Sequence, residues 1–131
     1  MMDRELYVRS NRRKDMEEMV DIHTWRLDEK TLKSTIGKNL VLLSNSKEAT
    51  AGVISLKPKQ RVPEKGFSSH DAVEICLLLK GTVVLNTEHN RKIAVEGDMA
   101  YIPRSTPHFT LNESAEEEAK IFWVLAPAVK L

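Results

Sequence analysis

The sequence predicts an all-β domain, an antiparallel barrel or sandwich, preceded by a short N-terminal arm. Three observations carry that prediction. From Asn39 onward the apolar residues fall in short aliphatic or β-branched runs such as Leu40 to Leu43 and Ala51 to Leu56. Turn-forming clusters such as Ser44-Asn45-Ser46-Lys47 separate these runs at regular intervals. No helical pattern alternates with them, so a parallel βαβ design is excluded.

Residues 1–36 form the arm. Arg9, Arg12, Arg13 and Lys14 make a small basic cluster, followed by Asp15, Glu17 and Glu18. Met16, Met19 and Val20 recur at helical spacing, which predicts one short helix starting near Ser10 or Asn11. A further helical turn is predicted over Asp28 to Leu32. A helix-turn-helix needs two packed helices, and the arm does not supply them. We expect it to cover an edge of the domain and to take part in dimer contacts.

Residues 37–131 form the barrel. Lys57 to Pro63 reads as a Pro-bounded connection that leads into a loop at Gly66. Strands follow near Ala72 to Leu79, Thr82 to Asn86, Lys92 to Val95, Met99 to Ile102, His108 to Leu111 and Lys120 to Ala126. Glu88-His89-Asn90 is a polar hairpin tip, and Ala115 to Glu118 a solvated loop.

Composition narrows the setting. The 131 residues suffice for one cored domain and are too few for two. Lys and Arg number 20 against 19 Asp and Glu, leaving no basic field for nucleic acid or anionic lipid. The longest apolar run, Ile75 to Leu79, is far short of a membrane span. The N-terminus lacks the apolar stretch of a secretory signal, and the single Cys76 has no internal disulfide partner. A soluble cytoplasmic protein is expected.

Chemistry concentrates in two segments. The first runs from Gly66 through Ser68, His70 and Glu74 to Gly81; the second from Gly97 through Pro103, Ser105 and His108 to Asn112. Side chains at even separations on a strand share a face, so a strand regular from His70 turns His70, Glu74 and Cys76 the same way. Turning a carboxylate and an imidazole into a barrel interior costs several kcal/mol unless they are paired or bind a cation. An inward His108 would complete a set of two imidazoles and one carboxylate. Such a set holds a divalent metal with positions left open, and Fe(II), Mn(II), Zn(II), Ni(II) and Co(II) all suit its donors. The competing reading is a His–carboxylate hydrogen bond in an empty pocket. Cys76 is expected in the core, while Tyr101 and Arg104 are candidates for the pocket wall and rim.

The two segments resemble the motifs of the cupin superfamily of small jelly-roll barrels. The first family motif runs Gly, five residues, His-x-His, three or four residues, Glu, six residues, Gly; His70, Glu74 and Gly81 match its second His, its Glu and its closing Gly. The second runs Gly, five residues, Pro-x-Gly, two residues, His, three residues, Asn; Gly97, Pro103, His108 and Asn112 fall in register. The resemblance covers roughly residues 39 to 128. It implies a single-domain cupin barrel with His70, Glu74 and His108 as metal ligands. Two departures stand out. Ser68 occupies the place of the first ligand His, which implies a reduced two-His-one-Glu site, and Ser105 replaces the second-motif Gly, altering the tightness of a turn.

Two functions follow as expectations. One is a mononuclear metal enzyme with oxygenase- or isomerase-type chemistry on a small molecule. The other is a metal-free cupin that binds or senses a small ligand without catalysis. A homodimer is expected in either case.

Overall fold

A computed structural model describes residues 6–8, 21–34 and 36–130, the first three by their backbone alone. The alternating runs become strands β1 (Leu6–Val8), β2 (Asn39–Leu43), β3 (Thr50–Leu56), β4 (Arg61–Val62) and β5 (Val73–Lys80). They continue with β6 (Thr82–Thr87), β7 (Arg91–Val95), β8 (Met99–Ile102), β9 (His108–Leu111) and β10 (Ala119–Ala126). One sheet has the order β1-β2-β3-β10-β5-β8, the other β4-β9-β6-β7. All pairings are antiparallel except β1 with β2, which is parallel. The neighbours β3, β10 and β5 are far apart in sequence, so the chain crosses between sheets as a jelly roll does.

The core lies between the sheets, and strand parity decides what enters it. Along β5 and the residue before it, Ala72, Glu74, Cys76 and Leu78 are buried while Ile75 and Leu77 are 40% and 38% exposed. Ile54, Leu56, Ile102, Ile121, Trp123 and Leu125 of the same sheet and Val83 and Ala94 of the opposite one complete the cluster. Each fully buried aliphatic side chain contributes about 1.5–3 kcal/mol. Trp123 lies across from Gly52 in register and donates from Nε1 to Asn39 Oδ1 at 3.1 Å. A Cβ at position 52 would stand 2.5 Å from the Leu40 carbonyl oxygen and 2.6 Å from the Trp123 ring, so only glycine fits there. Gly81, the single residue between β5 and β6, has φ +83°, and a Cβ there would meet the Glu118 carbonyl oxygen at 2.5 Å.

Among the described residues, the arm covers one half of the outer face of the larger sheet. Trp25, Leu27 and Leu32 of the arm pack on Leu40, Leu42 and Val53. Helix α1 (Glu29–Lys33) starts at Asp28, whose side chain accepts from the Thr31 amide at 2.8 Å. Lys120 Nζ, buried on the sheet, donates to the Leu32 carbonyl at 3.1 Å and ties the helix end down. Burial holds the Lys120 pKa below its ordinary value, with Glu118 opposing that shift. On the other half, the register pairs Ile75–Tyr101 and Leu77–Met99 stay exposed.

Three sequence expectations need comment. The predicted helical turn at Asp28 to Leu32 is α1 with Asp28 as its cap. The helix expected near residues 10–20 lies outside the described residues. The segment read as a plain connection contains β4, whose Arg61 and Val62 pair with Leu111 and Thr110. No helix among the described residues is long and apolar enough to cross a membrane.

Candidate functional site

Glu74 and His108 meet inside the barrel. Glu74 is carried by β5, where alternation places it on the inner face between Ala72 and Cys76. His108 opens β9 after the turn of Pro103 to Pro107 and is buried with 3% exposure. The His108 Nε2 stands 3.4 Å from Glu74 Oε1, with the two side chains 4% and 1% exposed.

The other ring nitrogen fixes the chemistry of this pair. His108 Nδ1 lies 2.8 Å from the Thr106 carbonyl oxygen. A carbonyl only accepts, so Nδ1 carries the proton, and in the neutral ring Nε2 presents its lone pair to the carboxylate. Glu74 Oε2 is occupied, accepting from the Cys76 thiol at 3.0 Å. Burial first, and then the Glu74 charge and hydrogen bond, push the Cys76 thiol well above its ordinary pKa. Cys76 is therefore a protonated donor and not a nucleophile.

Three buried polar atoms here have no hydrogen-bond partner: Glu74 Oε1, His108 Nε2 and Ser68 Oγ. Ser68 is in place because residues 68 and 108 form a two-way backbone bridge, each amide donating to the other's carbonyl at 2.9 Å. Trp25 Nε1, Asn39 Nδ2 and Thr110 Oγ1 are also unpartnered, but they are neutral and cost less to bury than a carboxylate oxygen.

His70 is not carried by a strand. It sits in the loop before β5, which begins only at Val73, so the regular strand expected from His70 is corrected. Its ring centroid is 6.2 Å from that of His108, the rings tilted by 55°. Among the described residues no three His, Cys, Asp or Glu side chains converge as a metal-holding group. The structure thus unites two of the three expected donors and brings Ser68 beside them.

The surrounding loops are held by specific contacts. Arg61 lies over the Phe109 ring at 3.8 Å, donates to the Pro63 carbonyl at 2.9 Å and also donates to the Gly66 carbonyl. Phe67 packs edge-on against Phe109 at 5.4 Å. These contacts fold the Gly66 loop over the barrel and bring Ser68 to His108. On the other side, the Ser105 amide donates to the His70 carbonyl at 2.8 Å. Ser105 has φ +59°, so it keeps the left-handed conformation natural to glycine. Arg104, a candidate for the pocket rim, is exposed and pairs with Asp71 at 2.6 Å. That guanidinium holds the Asp71 carboxyl below its usual pKa.

His108 also lines a cavity of about 340 Å³ between the edge strands β7 and β8. Its walls are mostly apolar, with Leu85, Ile102 and Phe109, and Tyr101 contributes at the rim. Thr106, which sets the His108 tautomer, and Thr87 and Lys92, which also line the cavity, went unnoticed in the sequence. Strand parity carried a signal for two of them. Thr87 lies opposite His108, and Lys92 stands two residues before the buried Ala94.

The donor set suits a divalent ion. Imidazole and carboxylate donors lie about 2.0–2.2 Å from such an ion, and two donors 3.4 Å apart are compatible with one cation between them.

A family model described as Cupin domain matches residues 52–125. Among solved structures, the Schizosaccharomyces pombe Cnp3 cupin domain superposes with TM-score 0.62 at 14% identity, covering 69% of this chain and 64% of that one. An RmlC-like cupin from Shewanella frigidimarina gives TM-score 0.59 at 17% identity, covering 70% and 77%. The DMSP lyase DddQ from Ruegeria pomeroyi gives TM-score 0.56 at 22% identity, covering 66% of this chain and 42% of the lyase. The chain thus spans less than two thirds of the Cnp3 domain and of the lyase. No curated protein matches the sequence. At these identities the structures speak for the fold alone, while the family model covers more than half the chain: it belongs to the cupin family.

Proposed function

We propose that the barrel binds a divalent metal ion at Glu74 and His108 and handles a small molecule in the adjoining cavity. The observation that carries this reading is the buried pair Glu74 Oε1 and His108 Nε2, 3.4 Å apart and neither hydrogen-bonded to another protein group. Two acceptors in a dry interior repel unless a cation or a proton joins them. His70 stands near enough to serve as a third ligand after a loop adjustment, and Ser68 would hydrogen-bond a water of the site. When bound, the ion supplies Lewis-acid or oxygen-activating chemistry. The protein's own part is to hold the His108 tautomer through Thr106, fix the carboxylate through the Cys76 thiol and exclude water with the apolar wall. Oxygenase- or isomerase-type reactions on a small molecule suit this division of labour.

A second reading, a metal-free ligand-binding or sensor cupin, is favoured by one observation. Among the described residues no three His, Cys, Asp or Glu side chains converge, and Ser68 stands where a further imidazole would be. Elemental analysis of untagged protein separates the two. Near-stoichiometric metal in wild type that is lost in His108→Ala supports the metal site. Absence of metal in wild type and in Ser68→His favours the sensor.

A homodimer is proposed through the uncovered face bearing Ile75, Leu77, Met99 and Tyr101. Light scattering is expected to report a dimer that Met99→Glu converts to monomer.

A further inference from the structure

We infer that the cavity between β7 and β8 selects a small carboxylate with an apolar body, and that Lys92 is the residue that recognises the carboxylate. The inference deepens the proposed ligand-binding role of this site and rests on it, but it does not require the metal.

Strand parity sets which side of β7 each residue occupies. On the smaller sheet Val83 pairs with Ala94, and both are buried in the core. Leu85 pairs with Lys92 on that same inward face, Leu85 packing against the core. Lys92 thus starts from the inner side of β7 at the mouth of the barrel, its side chain exposed there, while its neighbour Ile93 lies on the opposite face and is 60% exposed. Thr87, also inward, lies opposite His108. Lys92 and His108 thus line one cavity from two adjacent pairings of β6.

Charge and shape then limit the ligand. Lys92 forms no ion pair among the described residues. The other charged side chain in the lining, Asp98, is engaged in the turn before β8, where its Oδ2 accepts from the Val95 amide at 2.8 Å. The remaining lining is largely apolar, through Leu85, Ala100, Ile102 and Phe109. At about 340 Å³ the cavity is at the small end of ligand sites. A compact ammonium without an arginine fork matches one carboxylate, and the apolar wall matches a hydrocarbon body.

A bland role competes with this one. Inward-pointing charges on edge strands also discourage sheet-to-sheet pairing, and β7 is an edge strand. The two roles differ in what they ask of a ligand.

The test uses hexanoate and hexanamide as probes, followed by amide chemical shifts on metal-stripped protein dialysed free of chelator. Hexanoate is expected to shift resonances of β7, β8 and His108 and to bind about tenfold tighter than hexanamide. Lys92→Met should remove that preference and leave hexanamide binding unchanged, with Lys92→Gln as a second variant should the methionine associate. Equal binding of the two probes, or a preference that survives in both variants, would overturn the assignment and leave Lys92 as edge protection. Failure of the metal reading looks different. Acid preference that follows Lys92 in stripped protein upholds the inference whatever the metal content. Acid preference that appears only after zinc is restored, and vanishes in His108→Ala, assigns the carboxylate to the metal and refutes the role of Lys92.

Discussion

Asn112 and the Glu74–His108 pair are buried to similar depth, yet they are built on opposite principles. Asn112 spends its whole amide on the fold: Nδ2 donates to the carbonyls of Leu56, Lys57 and Glu117 at 3.2, 3.2 and 2.8 Å, and Oδ1 accepts from the Ser114 amide at 3.1 Å. It locks the end of β3 to the loop between β9 and β10. Four residues earlier on the same segment, His108 uses one nitrogen to orient itself and leaves the other bare, facing a bare carboxylate oxygen. Both residues answer to the same sequence motif. One completes the structure, and the other leaves its polarity available to something that is not protein.

The sharpest way to break this contrast is to remove each side. Asn112→Ala should cost about 3 kcal/mol, since it removes a buried amide that serves the Leu56 and Glu117 carbonyls and shares the Lys57 carbonyl with the Gln60 amide. Urea unfolding measures it. Glu74→Gln should do the reverse in metal-free protein and stabilise it by about 1 kcal/mol. The glutamine amide can donate to His108 Nε2 and still accept from Cys76, and a buried charge disappears. A loss comparable to that of Asn112→Ala would make Glu74 a structural residue and erase the distinction.

Smaller changes sharpen it. Ser105→Gly should stabilise by about 0.5 kcal/mol: relief of a left-handed serine offsets the greater freedom of glycine in the unfolded chain. Thermal unfolding would detect it, and a loss instead would mean that the serine side chain contributes to the turn. Asp71→Asn should have the least effect, because its pair with Arg104 is fully exposed. The sign with pH is definite. The Asp71 pKa is depressed in the fold, so its contribution is present above its ordinary value of 3.8 and fades as pH falls through the lower folded value. The stability difference between wild type and Asp71→Asn should therefore shrink in acid, and a constant difference would mean the pair does not form in solution.

Much of the barrel was legible because alternation is a strong signal in half-buried strands. Met99–Ile102 and His108–Leu111 have the predicted limits, and the other strands of the barrel differ from the reading by a residue or so, with two exceptions. β4 has only two residues and abuts Pro63, so nothing in its length or composition separates it from a loop. β1 pairs in parallel with β2 through backbone contacts that leave no periodic trace in three residues. Within the site, the inward sense of Glu74 and Cys76 followed from their even spacing. The position of His70 did not, because a two-residue bend at Asp71 and Ala72 ends the strand before reaching it. The pairing of Arg104 with Asp71 left no trace in the sequence, because the two are distant along the chain and adjacent only through the turn at Ser105. Lys92 escaped notice because a lysine reads as solvent-facing until the partner strand shows which face it shares.

The nitrogen chemical shifts of the His108 ring test the central claim most directly. A proton held on Nδ1 by the Thr106 carbonyl is expected throughout, together with a large displacement of the Nε2 signal when zinc is added to metal-free protein. Protons on both nitrogens, together with an Nε2 signal indifferent to zinc, would show that Glu74 and His108 form an ion pair complete in itself.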